Sequence, residues 1–322
     1  MTSTSPQTSL VLDIDLVDLA PQGWFAALDA LGDEHGYFEQ IGAAHSALFI
    51  DAGRDLLVTF ETVDAARRGP GAAPRGLDHV SRNNWSLLAF FSDGETWFRD
   101  PRIWGTLDRL SDDGFFEDFE RVLFQGTGSC GYAAAACSVA APGARVLALR
   151  PQATLDPALT GWDRRHIAGR RRDFTSRYGY APEMLDAADQ AWIVHDPAHA
   201  PDAMHAALFH RPNVTLLRCP HGGARLDQML DAMQISAPLT ESAMAGTLTP
   251  ASFARLWRAR RDNPTYLRGL LKRLEADKRD GLTAHLCAHG LKTRDHDLFA
   301  RKLASLGQAP PLDTHRPGQA AE

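Results

Sequence analysis

Residues 121–141, RVLFQGTGSCGYAAAACSVAA, decide the fold. The short apolar run RVLFQ predicts a buried strand, the Gly-rich residues 126–131 predict a tight turn, and the Ala-rich run 131–141 predicts a helix that packs closely on a sheet. So tight a turn requires small residues, because the backbone reverses with a strained φ at its apex. A strand, turn and helix in this order form either a phosphate-binding loop or a turn that presents a nucleophile at a helix N-terminus.

The segments on either side predict an α/β fold. Short apolar runs at 46–50, 55–61, 84–91, 145–149, 191–195 and 214–218 predict strands, and 10–20 predicts an edge strand. Helical patterns lie between them, at about 101–120, 161–178, 201–209 and 225–235. Strands that alternate with helices indicate a mostly parallel, doubly wound sheet.

Four short helices are expected after residue 250, at 251–261, 263–276, 280–290 and 295–306. The predicted organisation is therefore an N-terminal segment (1–40), an α/β domain (41–240) with a lid at about 152–190, a helical extension (250–306) and a disordered, Pro-rich tail (307–322).

Composition excludes several classes of protein. The chain has 322 residues, of which 44% are apolar and 23% charged, so it is globular rather than disordered. Its formal net charge of −6 argues against a nucleic-acid binder. No apolar run reaches the roughly 18 residues of a membrane span, and the N-terminus lacks the pattern of a secretory signal. The four cysteines have no metal-type spacing, so we expect a cytoplasmic protein with neither a disulfide framework nor a metal site.

The turn at 126–131 does not match a nucleotide-binding loop. No GxxxxGK[ST] motif is present, since Lys272 is the first lysine, and the glycine spacing is not GxGxxG. The next strand ends in Arg150 and Pro151 instead of an acidic residue that could bind a ribose. No cofactor is therefore predicted.

A catalytic triad is predicted instead, from Ser129, Asp196 and His221. Asp196 directly follows the strand at 191–195, and His221 follows the strand at 214–218. The carboxyl ends of parallel strands meet at one edge of a sheet, where a nucleophile, an acid and a histidine can combine. The N–H of Cys130 would hold an oxyanion, with Glu61 and Thr62 at the second position of the oxyanion hole.

The residue at the apex of the turn is left open by the sequence. Ser129 fits the elbow pattern, although Thr127 stands where glycine is usual, and Ser129 can also act simply as a helix cap. Cys130 would place the bulky Tyr132 too close. Gly128 satisfies the sterics best, but it offers no nucleophile.

Arginines between two of the predicted strands give a further candidate site. Arg164, Arg165 and Arg171 lie in the lid segment, where they could bind a phosphate, sulfate or carboxylate group. The alternatives are a solvated face or an attraction to the acidic first third of the chain.

Several strings in the chain resemble one known family. GTGSCGYAAAA, RPQATLDP, RRRDFTSRYGYAPEM and DAMHAALFHRPNVTLLRC are similar to α/β-hydrolase-like proteins of alphaproteobacteria. The resemblance, which covers most of 45–300, implies an α/β-hydrolase-like fold. The turn also resembles, more distantly, the esterase pattern GSSMGGYAA, on which Gly128 stands at the position of the nucleophilic serine.

Three functions remain open at this point. The first is a serine hydrolase that acts on an ester or thioester. The second is a catalytically inactive member of the fold that binds a small molecule, an acyl group, or a protein partner through the helical extension. The third is sulfonucleotide reduction, because homologues in the family often carry the label phosphoadenosine phosphosulfate reductase. The SGGxDS-type loop of such reductases is absent, and residues 286–291 do not match their CGLH-type segment.

Overall fold

The computed structural model describes residues 10, 12, 14–292 and 296–307. Its centre is an eight-stranded sheet with the order β1-β2-β4-β3-β5-β6-β7-β8. β2 is antiparallel to β1 and β4, and the other neighbouring strands are parallel. The strands are β1 (Gly36–Ile41), β2 (His45–Ile50), β3 (Asp55–Thr62), β4 (Ser86–Ser92), β5 (Arg121–Thr127), β6 (Arg145–Leu149), β7 (Gln190–His195) and β8 (Val214–Arg218).

Helices precede, connect and follow these strands. They are α1 (Pro21–His35), α2 (Val63–Arg68), α3 (Leu77–Asn83), α4 (Pro101–Asp112), α5 (Ser129–Cys137), α6 (Pro157–Thr160), α7 (Ala181–Met184), α8 (Ala200–Leu208), α9 (Leu226–Ala232), α10 (Ser236–Met244), α11 (Pro250–Leu256), α12 (Pro264–Ala276), α13 (Asp280–Gly290) and α14 (His296–Ser305). Among the described residues, no helix combines the length and the apolar character that crossing a membrane requires.

The strand order explains why both faces of the sheet are covered. The connection from β3 to β4 runs towards one edge of the sheet, and the connections from β4 to β5 and onwards run towards the other. Because crossovers between parallel strands are right-handed, α3 lies on one face, and α4 and α5 lie on the opposite face. β2 and β4 are accordingly buried along their whole length. This topology confirms the predicted α/β-hydrolase-like, mostly parallel sheet.

The edge strand differs from the expectation. The described part of 10–20 contains no strand, and the strand at that edge of the sheet is β1, which overlaps the end of the predicted N-terminal segment. Most of its side chains are partly or fully exposed, so its sequence, GYFEQI, lacks the continuous apolar run of the central strands. The predicted helix at 161–178 is also wrong, because turns and one 3₁₀ helix (Gly169–Arg171) occupy that segment.

The chain divides into two compact units. The first contains the described residues up to Asp227 together with Ser236–Ala254, and it includes the whole sheet. The second contains Gln228–Ile235 and the described residues from Arg255 onwards, where α12, α13 and α14 lie. The predicted four-helix pattern after 250 agrees with α11 to α14. Apart from Gly307, the predicted disordered tail (307–322) lies outside the described residues.

Candidate functional site

Gly128 occupies the apex of the turn between β5 and α5. Its φ of 62° and ψ of −121° are a backbone conformation that favours glycine. Its N–H donates to the carbonyl of Leu149 (2.8 Å), and its own carbonyl accepts from the N–H of Tyr132 (2.9 Å). Ser129 is already the first residue of α5. Of the three residues that the sequence left open, Gly128 is therefore the one at the apex.

Close packing around the turn explains its other glycines. A Cβ on Gly126 would lie 2.5 Å from the carbonyl carbon of Cys130, and one on Gly131 would lie 3.2 Å from the carbonyl oxygen of Leu149. A Cβ on Gly128, in contrast, would meet no atom within 4 Å. The apex therefore faces open space where a nucleophile would stand, but its residue carries no side chain.

The Cys130 thiol is not a substitute nucleophile. It is buried, and burial raises its pKa to about 12. The charge of Glu61 raises this pKa further, whereas hydrogen bonds from the Ser129 hydroxyl and the Thr62 N–H lower it. A thiol with such a pKa stays protonated at neutral pH and reacts slowly.

The residues predicted for the second oxyanion position have other partners. The carboxylate of Glu61, which is 4% exposed, accepts a hydrogen bond from the N–H of Arg75 (2.6 Å). The Thr62 hydroxyl accepts from the N–H of Ala65 (3.1 Å) and so caps α2. A carboxylate close to this position would repel the negative charge that develops in acyl transfer.

Asp196 and His221 meet at the carboxyl edge of the sheet, as their positions after β7 and β8 predict. The contact, however, is through the main chain. Asp196 is 3% exposed, and its Oδ1 accepts from the N–H of His221 (2.9 Å) and of Ala198 (2.8 Å), while its Oδ2 accepts from the N–H of Gly223 (3.1 Å). Asp196 thereby fixes the loop after β8, in which His221 has a φ of 62°.

The His221 ring is not oriented as in a catalytic triad. In a triad the carboxylate accepts from Nδ1–H of the histidine, and Nε2 contacts the nucleophile. Here Nδ1 of His221 is buried without a hydrogen-bond partner, and no hydrogen bond joins Ser129 to His221 in the described part of the chain. The three residues predicted for catalysis follow β5, β7 and β8 at one edge of the sheet, with β6 between β5 and β7, but no hydrogen-bonded relay connects their side chains in the described part of the chain.

The predicted arginine site consists of one engaged residue and two exposed ones. Arg165 forms ion pairs with Asp163 (2.7 Å) and Asp202 (2.6 Å). Arg164 and Arg171 are exposed and have no ion pair among the described residues. Only Arg165 is therefore held in place by the fold.

Sequence reasoning missed the buried charge network to which Arg165 belongs. Asp202, whose side chain is 1% exposed, also pairs with Arg150 (2.7 Å). Asp163 accepts from Nε2 of His205 (2.9 Å), and Nδ1 of that ring accepts from the N–H of Ala153 (3.1 Å), so the ring is neutral. Hydrogen bonds and charges from the arginines lower the pKa of Asp163 and Asp202 against the effect of burial. Apart from Asp163 and Arg165, these partners are 37 to 52 residues apart, a separation at which no local sequence pattern reveals pairing.

Comparison with known proteins adds no family assignment. No family model matches the chain, and no curated protein matches it. Similar solved structures include MPT51 of Mycobacterium tuberculosis (15% identity, TM-score 0.41, 63% of this chain and 95% of that one). They also include acetyl xylan esterase 1 of a Thermoanaerobacterium species (13%, TM-score 0.40, 69% and 95%) and the fluorophosphonate-binding serine hydrolase FphF of Staphylococcus aureus (10%, TM-score 0.40, 59% and 91%).

These similarities are too low to indicate an activity. The topology of the sheet and the elbow between β5 and α5 identify the first unit as an α/β-hydrolase-like fold with glycine at the apex of its elbow.

Proposed function

We propose that this protein is a non-hydrolytic member of the α/β-hydrolase-like fold that binds a small acyl-type ligand. The observation that carries the proposal is Gly128 at the apex of the elbow, a position from which no side chain can attack a carbonyl. The carboxylate of Glu61 beside the Cys130 thiol further disfavours an oxyanion there.

A cavity near the same edge of the sheet supports ligand binding. It has a volume of about 240 Å³ and lies where β4 ends and β2 begins, next to the start of α2. Phe25 and Phe91 contribute apolar residues to its lining, and Gln40 and Arg67 contribute polar ones. Such a mixture suits a small ligand with one apolar and one polar end.

Labelling with a fluorophosphonate tests the absence of hydrolysis. This reagent forms a covalent adduct only with an activated serine. Intact-mass analysis should detect no adduct on the folded wild type. A stoichiometric adduct that is lost in Ser129→Ala would refute the proposal and establish Ser129 as a nucleophile.

Ligand binding is tested separately from hydrolysis. Saturation-transfer NMR with short acyl esters should detect binding to the wild type and loss of binding in Ala43→Trp, whose indole fills the cavity. Ala52→Trp, outside the residues that line the cavity, is the matched control. If no ester binds, or if Ala43→Trp binds as the wild type does, the assignment of the cavity is wrong.

A further inference from the structure

Exposed apolar side chains are concentrated in one part of the first unit. Six large apolar side chains are exposed in the described part of the chain. Three of them, Leu159 (51% exposed), Trp162 (36%) and Ile167 (56%), lie inside the lid segment, in a stretch of nine residues. A fourth, Met204 (44%), is on α8 and directly precedes His205 in the sequence. The indole of Trp162 packs against the His205 ring, with the two ring centroids 4.7 Å apart. We call Leu159, Trp162, Ile167 and Met204 the lid patch.

The loop that carries the patch is held in a fixed shape. The guanidinium of Arg170 donates to the carbonyl oxygens of Thr160 (2.9 Å) and Asp163 (2.5 Å), which closes the loop on itself. Arg165 and His205 bind the loop to α8 through Asp163 and Asp202. These hydrogen bonds and ion pairs fix the backbone of the loop. Its apolar side chains are therefore exposed in an ordered loop, and not because the loop is unfolded.

Positive charge alternates with the apolar residues. Arg164 lies between Trp162 and Ile167, and Arg171 follows Ile167 by four residues. Both guanidinium groups lack an ion pair among the residues that the structure describes, although the chain as a whole has a net charge of −6. A local excess of arginine beside exposed Trp, Leu and Ile is typical of surfaces that insert into an anionic lipid interface.

The geometry points to an anionic phospholipid surface as the partner of the lid patch. A protein partner recognises pockets and well-packed anchor sites, whereas a lipid surface requires no complementary shape. The patch is built on turns and a four-residue helix, α6, with its apolar side chains pointing outwards. The acidic remainder of the chain would be repelled by anionic headgroups and would orient the patch towards them. This inference goes beyond the proposed function and does not depend on whether Ser129 hydrolyses an ester.

Vesicle flotation with the full chain tests the inference. At low salt, the wild type should float with vesicles of phosphatidylcholine and phosphatidylglycerol, and about 30-fold less with phosphatidylcholine alone, as expected for two arginines that each gain about 1 kcal/mol near a charged surface. High salt should remove this difference, because it screens the attraction between the arginines and the headgroups. Leu159→Ser with Ile167→Ser should abolish flotation, and Arg164→Gln with Arg171→Gln should remove the preference for the anionic lipid.

The controls separate the patch from general stickiness. Leu282→Ser removes an apolar side chain that is 54% exposed on α13, in the second unit, and should leave flotation unchanged. Circular dichroism should show that all variants are folded. The inference fails if the wild type does not float with anionic vesicles, or if the Leu159→Ser, Ile167→Ser variant floats equally well. Self-association without lipid that this double variant abolishes would also overturn it, in favour of a second copy of the chain.

Discussion

Three glycine-to-alanine substitutions should have three different effects on stability if Gly128 is at the apex. The added methyl group is the same in each case, so the differences arise from the backbone conformation and from the atoms around it. Gly126 is at the end of β5, Gly128 is at the apex, and Gly105 is an exposed residue within α4.

The structure provides the magnitudes. A methyl group on Gly126 would lie 2.5 Å from the carbonyl carbon of Cys130 and 2.9 Å from the nitrogen of Gly131. Both are main-chain atoms of α5, so Gly126→Ala should cost at least about 3 kcal/mol. At Gly128 a methyl group meets nothing within 4 Å, but a φ of 62° with a ψ of −121° strains any other residue, at a cost of about 1–3 kcal/mol.

Gly105→Ala is the matched control. This position also has nothing within 4 Å, and its backbone is helical, so alanine should stabilise the protein by up to about 1 kcal/mol. The free energy of unfolding is measured by urea titration with tryptophan fluorescence as the probe. A neutral effect of Gly128→Ala would refute the assignment of the apex, and a loss below about 1 kcal/mol for Gly126→Ala would refute the close approach of α5 to β5.

Three further predictions concern the charge network, pH and the apex. Asp202→Asn should cost about 3–5 kcal/mol, because it uncouples two guanidinium groups from a buried carboxylate, whereas Asp189→Asn, at a half-exposed pair with Arg145, should cost less than about 1 kcal/mol in the same urea titration. Burial lowers the pKa of three histidines, His45, His195 and His205. As the pH falls below about 6.5, these histidines are protonated in the unfolded chain before they are protonated in the folded one. The free energy of unfolding should therefore decrease, by up to about 1.4 kcal/mol per pH unit for each histidine. A His205→Gln variant should have a shallower pH slope, and an unchanged slope would contradict the prediction. Gly128→Cys should gain one thiol that reacts quickly with a maleimide, since the four native cysteines are buried, and protection of the new thiol would show that the apex is closed.

The sequence predicted the parallel core of the sheet well. β5 to β8 are short apolar runs with turn residues on both sides. β6 and β7 are buried on both faces along nearly their whole length, and such burial leaves a strand without alternation. β1 escaped prediction because an edge strand need not be apolar. The segment 161–178 was predicted as a helix, but Arg170 and Arg165 donate hydrogen bonds to carbonyl and carboxylate groups that fix a different shape.

The candidate site was predicted in position but not in geometry. The order of the strands was sufficient to bring Asp196 and His221 to the same edge of the sheet. Which atoms meet depends on the loop after β8, where His221 and Gly223 both have positive φ. Their N–H groups then donate hydrogen bonds to the Asp196 carboxylate. The sequence Pro-His-Gly-Gly does not by itself predict these hydrogen bonds.

The same two features that argue against hydrolysis also favour stability. A hydrolase of this fold holds a non-glycine residue at a strained apex, at a cost of about 1–3 kcal/mol, and directs a buried carboxylate to a histidine ring. In this chain glycine removes the strain at residue 128, and Asp196 satisfies three main-chain N–H groups instead. Catalysis would require a strained residue at position 128 and a carboxylate free to bind a histidine ring. Here the glycine and the carboxylate both stabilise the fold instead. Both groups lie at the carboxyl edge of the sheet, so the backbone there is held by hydrogen bonds and by an unstrained turn, as binding of a ligand without acyl transfer would require.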